Sequence, residues 1–440
     1  MKTTRKIAVI GGGWAGLSAA ITATQQGHQV SLLEASRHWG GRARALPSVQ
    51  TDALTLDNGQ HILIGAYQQT LKLMQTVGVD IGQALWRMPL KLQDLNGNGL
   101  SLPDAPFPLN LLWGITRAKG WHLTDKFSLL TTAWCWQRMN FECSDALTVR
   151  DLCQDLSPAI WRDLIEPLCV SALNTPAQQA SGTVFLRVLK DAVFGPPGSA
   201  DLLLPRQDLG QIFPHAAVHW LEAHHARCQL GSRVEMLSVD KTGTDRWQIL
   251  GEVFDHVVLA TPAWDAAQLM ATVDPEWSQT ANALTYEAIA TVYIQMPSEF
   301  KLPLPMLSLP SHKEAPAQFV FDRGQMMLKG HTAGLLAFVV SAAEASRQTL
   351  EANVLQQAHG LLKALRPDLD HPNAMQLLQT VVEKRATFAC TPQLRRPCAN
   401  PAPGLSVCGD YVAGPYPATL EGAVLSGIAA GQQAAEPSEA

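Results

Sequence analysis

A glycine-rich turn near the N-terminus has the spacing of a loop that binds a diphosphate. The apolar run Ile7–Ile10 ends at Gly11, Gly13 and Gly16, and an Ala-rich helical pattern follows. In a strand–turn–helix unit, the first glycine allows the turn, the second lets the backbone approach a pyrophosphate, and the third packs the helix on the strand. The helix N-terminus adds free N–H groups and the positive end of its dipole. The predicted diphosphate contacts are Gly11, Gly13, Trp14, Ala15 and Gly16.

An acidic residue follows the next predicted strand, where a nucleotide ribose is expected. The run Gln29–Leu33 ends in Glu34, 18 residues after Gly16. A carboxylate at this position accepts hydrogen bonds from ribose hydroxyls. It argues for an unphosphorylated ribose, as in FAD or NAD rather than NADP, and against a glycine-rich turn with no nucleotide. Glu34 and its neighbour Ala35 are therefore predicted cofactor contacts.

A second glycine loop, Gly40-Gly41-Arg42, lies shortly downstream. Two glycines allow a close backbone approach, and a guanidinium can fork onto phosphate oxygens. The alternative is a surface turn with solvated arginines. Because the loop comes directly after the nucleotide unit, we predict that Gly41 and Arg42 contact the cofactor.

The segment Asp57–His61 combines polar side chains with a glycine directly before an apolar run. This pattern suits a turn whose side chains line a pocket. His61 is a candidate proton donor, because the unperturbed pKa of histidine lies near neutrality. The alternative is a structural histidine with satisfied hydrogen bonds. Asn58 and Gly59 are candidate cofactor contacts.

Near the C-terminus, a predicted strand again ends on a glycine before a helix. Gly409-Asp410 follows the strand Leu405–Cys408, and a helix rich in small residues opens after Pro417. Asp410 is suited to bond a ribityl hydroxyl or, through the adjacent backbone, a pyrophosphate. The N–H groups at the helix start suit a flavin carbonyl or a phosphate. The contacts predicted here are Gly409, Asp410, Thr419, Leu420 and Glu421.

Composition and charge narrow the class of protein. The chain is 47% hydrophobic and 16% charged, as in a globular protein, and its net charge of -5 gives no reason to expect nucleic acid. The eight cysteines contain no C-x-x-C pair. They indicate reduced thiols in the cytoplasm rather than a disulfide framework or a metal site. No apolar run approaches the roughly 18 residues of a membrane-spanning helix. Peripheral contact with the inner face of the cytoplasmic membrane stays open.

At 440 residues the chain exceeds the usual size of one core, so we expect two domains, interleaved along the sequence. Residues 86–204 are rich in Trp, Phe and Leu, and their periodicity predicts helices over 126–139, 149–155 and 158–172. These apolar residues form either a helical core or, alternatively, a lipid-facing patch or the wall of an apolar substrate tunnel. Composition does not separate these alternatives.

The remaining segments mix strands and helices. Further predicted strands are Trp247–Leu250, Val257–Pro262, Thr291–Gln295, Gln318–Asp322 and Leu335–Ser341. Predicted helices cover 213–227, 343–365 and 374–378. A hairpin turn is predicted at Asp240–Gly243 and a loop at Asp322–Gly324.

The N-terminal dinucleotide unit, the strand Val257–Pro262 and Gly409-Asp410 before the last helix together resemble the two-dinucleotide-binding-fold flavoproteins. Gly40-Gly41-Arg42 and Pro417–Gly427 are similar to the amine oxidase and phytoene desaturase superfamily within them. The resemblance covers the whole chain. It implies an α/β fold with a Rossmann-like FAD-binding domain and an interleaved α+β substrate domain. FAD is expected to be non-covalent, because no Ser-Gly-Gly-Cys precedes the last helix.

The domains that this resemblance implies are discontinuous. The FAD-binding domain is predicted to comprise residues 1–85, 205–274 and 386–440, and the substrate domain residues 86–204 and 275–385. Val234, in the segment after the helix predicted over 213–227, is added to the predicted cofactor contacts.

A closer resemblance is carried by the segment Leu56–His61, the Trp-rich helical insertion and the ending Pro415–Ala423. Together they resemble the squalene-associated FAD-dependent desaturases of bacterial hopanoid pathways. That resemblance implies reductive removal of the hydroxyl of hydroxysqualene, a C30 isoprenoid, to give squalene. The acid for the departing hydroxyl would be His61 first, then Tyr416 or Asp57. The electron donor would be NAD(P)H or a partner reductase.

Other activities remain open at this stage. A phytoene-desaturase-like enzyme would remove hydrogen from a carotenoid or other polyprenyl chain. A flavin amine oxidase would share the flavin domain but need a compact aromatic site and react with oxygen. A flavin-binding scaffold without turnover is the alternative outside enzymes.

Overall fold

The computed structural model describes residues 4–47, 54–105, 108–239, 246–328 and 332–436. Within these ranges the strands are β1 Lys6–Ile10, β2 Gln29–Leu33, β3 Ala45–Pro47, β4 Thr55–Asp57, β5 Leu63–Ile64, β6 Leu85–Met88, β7 Lys91–Gln93, β8 Gly99–Ser101, β9 Leu202–Pro205, β10 Arg227–Gln229, β11 Ser238–Val239, β12 Trp247–Ile249, β13 Glu252–Phe254, β14 His256–Leu259, β15 Tyr286–Gln295, β16 Met306–Ser308, β17 Phe319–Asp322, β18 Leu335–Ser341, β19 Gln376–Phe388 and β20 Leu405–Val407.

The helices in the same ranges are α1 Trp14–Gln25, α2 Gln68–Thr76, α3 Ile81–Ala84, α4 Leu109–Arg117, α5 Leu123–Arg138, α6 Val149–Leu152, α7 Pro158–Ile160, α8 Glu166–Leu173, α9 Gly182–Ala192, α10 Leu209–Ile212, α11 Pro214–Ala223, α12 Ala263–Met270, α13 Pro275–Asn282, α14 Arg323–Met326, α15 Arg347–Leu365 and α16 Leu420–Ala435. A π-helical turn, Trp161–Ile165, joins α7 to α8, and a 3₁₀ turn, Pro367–Leu369, follows α15.

A parallel sheet with the order β10-β2-β1-β14-β20 carries the predicted diphosphate turn directly after β1. Its central strand β1 pairs with β2 and β14 in parallel, with Ile7 opposite Val30 and His256. The apolar side chains of β1 are buried, as expected for a parallel strand covered on both faces. The predicted α/β, Rossmann-like fold class is confirmed.

Helices α1 and α16 cover one face of this sheet and pack unusually close together. A Cβ atom on Gly427 would lie 2.1 Å from the carbonyl oxygen of Ala15, and one on Gly431 would lie 2.6 Å from that of Ala19. Both distances are shorter than any real Cβ contact, so α16 approaches α1 this closely because it carries glycine at both positions. The N-terminal and C-terminal parts of the chain are thereby joined behind the diphosphate turn.

A second sheet is antiparallel, has the order β16-β17-β18-β15-β19 and is built from residues 286–388. One face of it packs on α15 through apolar residues such as Val292, Phe338, Val354 and Leu362. The small sheet β5-β9-β6 brings the ends of the insertion between residues 86 and 204 together. Helices α4 to α9 form the helical layer of that insertion.

Several local predictions were wrong, each because a distant partner decides the structure. Residues 374–378 are not a helix, since Gln376 begins the long strand β19, which pairs with β15. The helix predicted over 213–227 ends at Ala223, and Arg227–Gln229 joins the parallel sheet beside β2. The predicted loop Asp322–Gly324 contains the start of α14, with Arg323 wholly buried.

Two predictions stay untested. The hairpin turn at Asp240–Gly243 lies outside the described residues. The domain boundaries remain predictions as well. No helix in the described part of the chain is long and apolar enough to cross a membrane.

The contact between α1 and α16 predicts opposite effects for two glycine-to-alanine changes. Gly427→Ala adds a methyl group against the Ala15 carbonyl, so we expect a loss of about 1–3 kcal/mol in the free energy of unfolding. Gly360→Ala in α15 meets no atom within 4 Å, so helix propensity should raise that free energy by about 1 kcal/mol. Denaturant unfolding measures both. Equal effects of the two changes would contradict the close helix contact.

Candidate active site

The diphosphate turn is shaped by glycines that no other residue could replace without movement. Gly11 has φ +115°, and a Cβ atom there would lie 2.5 Å from the Ala260 carbonyl oxygen. On Gly16 it would lie 1.9 Å from the Gly11 carbonyl oxygen. At Gly13 the nearest atom is the Cα of Gly41, at 3.8 Å. The space beside Gly13 is therefore available to a ligand.

Helix α1 begins beside this space, and no side chain in the described part of the chain accepts a hydrogen bond from its first N–H groups. Gly13 is its N-cap residue, and no side chain of the described residues caps it. The indole N–H of Trp14 donates to the Ala43 carbonyl oxygen at 3.0 Å, which fixes the start of the helix against the next loop. An uncapped helix N-terminus with an open approach suits an anionic phosphate.

Glu34 is held in place at the carboxyl end of β2. Its Oε2 accepts the Gly12 N–H at 2.6 Å and its Oε1 accepts the Ser36 N–H at 2.7 Å. A carboxylate so fixed beside the diphosphate turn is positioned to receive ribose hydroxyls. Ala35 follows it and is exposed, whereas Val234 is buried.

The second glycine loop closes over the first. The Gly40 N–H donates to the Gly12 carbonyl oxygen at 2.9 Å, and Gly40 and Gly41 have φ +103° and +62°. Arg42 then reaches across to the C-terminal region, where its Nη2 lies 2.6 Å from Oδ1 of Asp410. Its Nη1 donates to the Ala386 carbonyl oxygen at 2.6 Å. Arg42 and Asp410, both predicted cofactor contacts, thus bind each other in this structure.

Three buried hydroxyls around these loops have no hydrogen-bond partner among the described residues: those of Thr261, Tyr286 and Tyr411. Thr261 adjoins Gly11, the Tyr411 ring contacts Gly409, and Tyr286 interacts electrostatically with Asp410 and Arg42. Burial raises the pKa of Tyr286 to about 12, so its hydroxyl is a neutral donor. Unpartnered buried polar atoms call for a ligand or water, and a ribityl–diphosphate chain would supply acceptors for them. The residues present therefore fit a flavin dinucleotide.

The polar turn Asp57–His61 lies between the cofactor loops and the antiparallel sheet. Asn58 donates through Nδ2 to the Arg42 carbonyl oxygen at 2.9 Å. Gly59 has φ +141°, and its carbonyl oxygen lies 3.0 Å from Nδ1 of His61. Burial lowers the pKa of His61, and the bond to Gly59 opposes that change. A neutral imidazole that donates from Nδ1 leaves Nε2 free as an acceptor.

Asp57, a candidate acid, is wholly engaged by protein groups. Its Oδ2 lies 2.7 Å from Nη1 of Arg323, in a pair whose side chains are 1% and 0% exposed. Its Oδ1 accepts the Leu209 N–H at 2.8 Å at the start of α10, and its carbonyl oxygen accepts the Tyr293 hydroxyl at 3.0 Å. Arg323 also donates to Oε1 of Gln60 at 3.1 Å. Asp57 thus fixes the turn that carries His61.

Sequence reasoning missed Arg323. The available signal was a cation directly after the run Phe319-Val320-Phe321-Asp322, in a segment that the sequence predicted to be a loop. Its Nε and Nη2 have no partner among the described residues.

Tyr416 and Glu421 lie at the other side of the predicted site. The Tyr416 hydroxyl donates to Oδ2 of Asp191 at 2.6 Å and accepts from Nη2 of Arg187 at 3.1 Å. Glu421 is buried and accepts the N–H groups of Gln69 and Thr70, each at 2.9 Å, at the start of α2. These contacts join Tyr416 to the helical insertion rather than to His61, and they give Glu421 a role in holding α2.

The last predicted contacts surround the start of α16. Thr419 caps the helix by accepting the Gly422 N–H at 3.1 Å, and Leu420 is the first helical residue. Cys408, on the strand before Gly409, is fully buried, and burial raises its pKa to about 12. Such a thiol is not poised for covalent attachment of a flavin.

An uncapped dinucleotide turn, a fixed acid after β2 and a second strand–helix unit at Asp410 define the class of FAD-dependent oxidoreductases with a Rossmann-like fold. The chain belongs to the family of flavin containing amine oxidoreductases, whose model matches residues 14–435. It is an enzyme of that class, and FAD is its cofactor.

Similar proteins include a dehydroxylase, a desaturase and an amine oxidase. A hydroxysqualene dehydroxylase of Zymomonas mobilis is 25% identical over 441 residues, with 95% of this chain and 96% of the relative covered. A 15-cis-phytoene desaturase of Narcissus pseudonarcissus is 25% identical, with 96% and 78% covered. The solved cyclohexylamine oxidase from Brevibacterium oxydans has the same fold, with a TM-score of 0.71 at 16% identity and 98% and 99% coverage.

The buried ion pair predicts a strong and asymmetric effect on stability. Arg323→Met leaves the Asp57 carboxylate buried without its cation, so we expect a loss of about 3–5 kcal/mol in the free energy of unfolding. The double change Asp57→Asn with Arg323→Met should recover most of that loss, because no uncompensated charge remains. Denaturant unfolding of each variant measures the coupling.

The matched control is an exposed pair, Arg395 and Glu276, whose side chains are 78% and 77% exposed. Arg395→Met should leave the unfolding curve almost unchanged. A double variant whose loss equals the sum of the losses of Arg323→Met and Asp57→Asn would show that the two residues act independently.

Proposed function

We propose that this enzyme removes the hydroxyl of hydroxysqualene reductively and releases squalene. The observation that carries the proposal is the similarity to a protein named hydroxysqualene dehydroxylase over 95% of the chain. The helical insertion rich in Trp, Phe and Leu supports it, because a C30 isoprenoid needs an extended apolar site.

The reaction replaces a C–O bond by a C–H bond. The substrate hydroxyl takes up one proton and leaves as water, and a hydride adds to the carbon that it leaves. When bound, reduced FAD supplies that hydride. NAD(P)H or a partner reductase would supply the electrons beforehand.

The protein's own part is to orient the hydroxyl and to deliver the proton. His61 takes up a proton from solvent at Nε2, and the protonated imidazole then donates it to the substrate hydroxyl oxygen, so that the C–O bond breaks and water leaves. The pair of Asp57 and Arg323 fixes the turn that holds His61, so we give Asp57 a positioning role and keep Tyr416 as the second candidate acid. Apolar walls keep out water that would recapture an allylic cation.

A single-turnover experiment tests the reaction. Anaerobic, photoreduced enzyme should convert hydroxysqualene to squalene with one equivalent of flavin oxidised, and oxidised enzyme should give no product. Gas chromatography with mass detection identifies the hydrocarbon. If oxidised enzyme alone acts, and on a polyprenyl chain to give a more unsaturated product, a desaturase like the phytoene relative is the correct assignment. Peroxide release on addition of amines would instead indicate an amine oxidase.

The position of His61 predicts a pH dependence. Because its pKa is lowered, His61 is neutral near pH 7, and the acid form grows as the pH falls toward that pKa. The single-turnover rate should therefore rise as the pH is lowered from about 8 to about 5. His61→Gln should slow the reaction and flatten this pH–rate profile. His219→Gln, on the exposed side of α11, is the matched control. A profile and rate unchanged in His61→Gln would exclude His61 from proton delivery.

A further inference from the structure

The outward faces of α4 and α5 are apolar, which is unusual for exposed helices. In α4, Leu109, Leu112 and Trp113 are exposed, while Gly114 and Ile115 point inward and are buried. The spacing i, i+3, i+4 places the three exposed residues on one side of an amphipathic helix, but it is the other side of α4 that packs on the core. Gly114 lets α4 lie close to β8, because a Cβ atom there would be 2.9 Å from the Ser101 carbonyl oxygen. Helix α4 therefore has two apolar sides, one that packs on the protein and one that is exposed.

Helix α5 has the same two-sided character. Leu123, Phe127 and Trp134 are 84%, 69% and 56% exposed, and they follow one another along one side of the helix. The opposite side carries the buried residues Leu129 and Trp136. We call the outward residues Leu109, Leu112, Trp113, Leu123, Phe127 and Trp134, with the basic residues beside them, the α4–α5 face.

The exposed apolar residues are concentrated in this part of the molecule. Six of the twelve large apolar side chains that are exposed in the described ranges lie on α4 and α5; the others are Met139 directly after α5, Leu328, and Leu230, Met236, Val239 and Leu250 in strands, turns and loops. Single exposed apolar residues of that kind need no explanation, whereas a contiguous set on neighbouring helices marks an interaction surface. Lys126 in the first turns of α5 donates to the Thr116 carbonyl oxygen near the C-terminal end of α4 at 2.8 Å, so the end of α4 and the start of α5 adjoin.

The charges of the α4–α5 face have one sign. The Arg117 guanidinium lies 4.4 Å from the Trp113 ring centroid, and that of Arg138 lies 4.7 Å from the Trp134 ring centroid. Lys119 and Lys126 add further positive charge. Asp125, the acid of α5, is turned inward and accepts the His122 N–H at 2.8 Å, so it does not neutralise the face.

We propose that the α4–α5 face docks on a lipid bilayer that contains anionic lipid. Leucine and phenylalanine side chains enter the boundary of the acyl chains, the tryptophans lie at headgroup level, and Arg117 and Arg138 meet lipid phosphates. A helix pair of this kind lies in the interface and does not cross the bilayer. A second copy of the chain is a poorer occupant, because a two-fold contact through this face would set its cations against the same cations of the other copy.

Vesicle binding by the full-length, FAD-loaded protein tests this proposal. The wild type should sediment with phosphatidylcholine vesicles that contain phosphatidylglycerol, and less with pure phosphatidylcholine vesicles or at high salt. Phe127→Asp should weaken binding by tenfold or more. Leu250→Asp, at a residue 59% exposed in the β12–β13 turn, is the matched control and should bind as the wild type does.

A charge-reversed variant tests the choice of lipid separately. Arg117→Glu with Arg138→Glu should lose the preference for anionic vesicles, with a drop of at least about tenfold, since each basic residue near such a surface contributes several-fold to binding. Thermal unfolding checks that each variant is folded.

Three results would overturn the proposal. They are a wild type that binds no vesicles, binding that survives both sets of changes, and a dimer in light scattering that Phe127→Asp dissociates while no vesicles are bound. The last result would assign the face to self-association. None of these measurements depends on turnover, so failure of the proposed reaction and failure of the docking surface are distinguishable.

Discussion

A guanidinium with no exposed area has to be neutralised where it lies, and this constraint organises the centre of the molecule. Arg323 and Asp57 are both buried, and Asp57 in addition receives a backbone N–H from α10 and its own carbonyl receives the Tyr293 hydroxyl. Removing two charges from water is costly, so the pair persists because the surrounding structure supplies these further bonds. It ties the antiparallel sheet to the turn that carries His61, and through that turn to the cofactor loops.

Local patterns were sufficient for the units in which neighbouring residues decide the structure. The glycine spacing after Ile10 and the acid at Glu34 predicted β1, α1 and β2, and the fold class was implied by the resemblance that these and two distant motifs carry. The same reasoning failed at Gln376, where the register with β15 imposes a strand on a segment with polar residues, and at Arg227, whose short edge strand depends on β2. Pairing over long sequence separations has no local signature, which is why those elements were missed.

In the candidate site, too, the sequence indicated single residues but not the contacts between them. Sequence reasoning nominated Arg42 and Asp410 separately, 368 residues apart, but did not foresee that they bind each other. It proposed Asp57 as an acid because of its chemistry, and its engagement by Arg323 became visible when the fold placed α14 beside it. His61 was nominated as a proton donor, and the bond from its Nδ1 to Gly59 defines which ring nitrogen is free. The roles of these residues in binding and catalysis stay predictions.

The order of strands along the chain has a consequence for how the protein is made. The parallel sheet begins with β1 and is completed by β20. Helix α16 then packs against α1, and this contact is close enough to require glycine at position 427. On the ribosome, one edge of β1 therefore stays unpaired until β14 is synthesised, and the free edge of β14 until β20 follows. The predicted cofactor contacts from Gly409 to Glu421 emerge last. A chain that ends before β20 lacks these contacts and leaves the edge of β14 open, so both the sheet and the predicted cofactor site are completed by the same C-terminal segment.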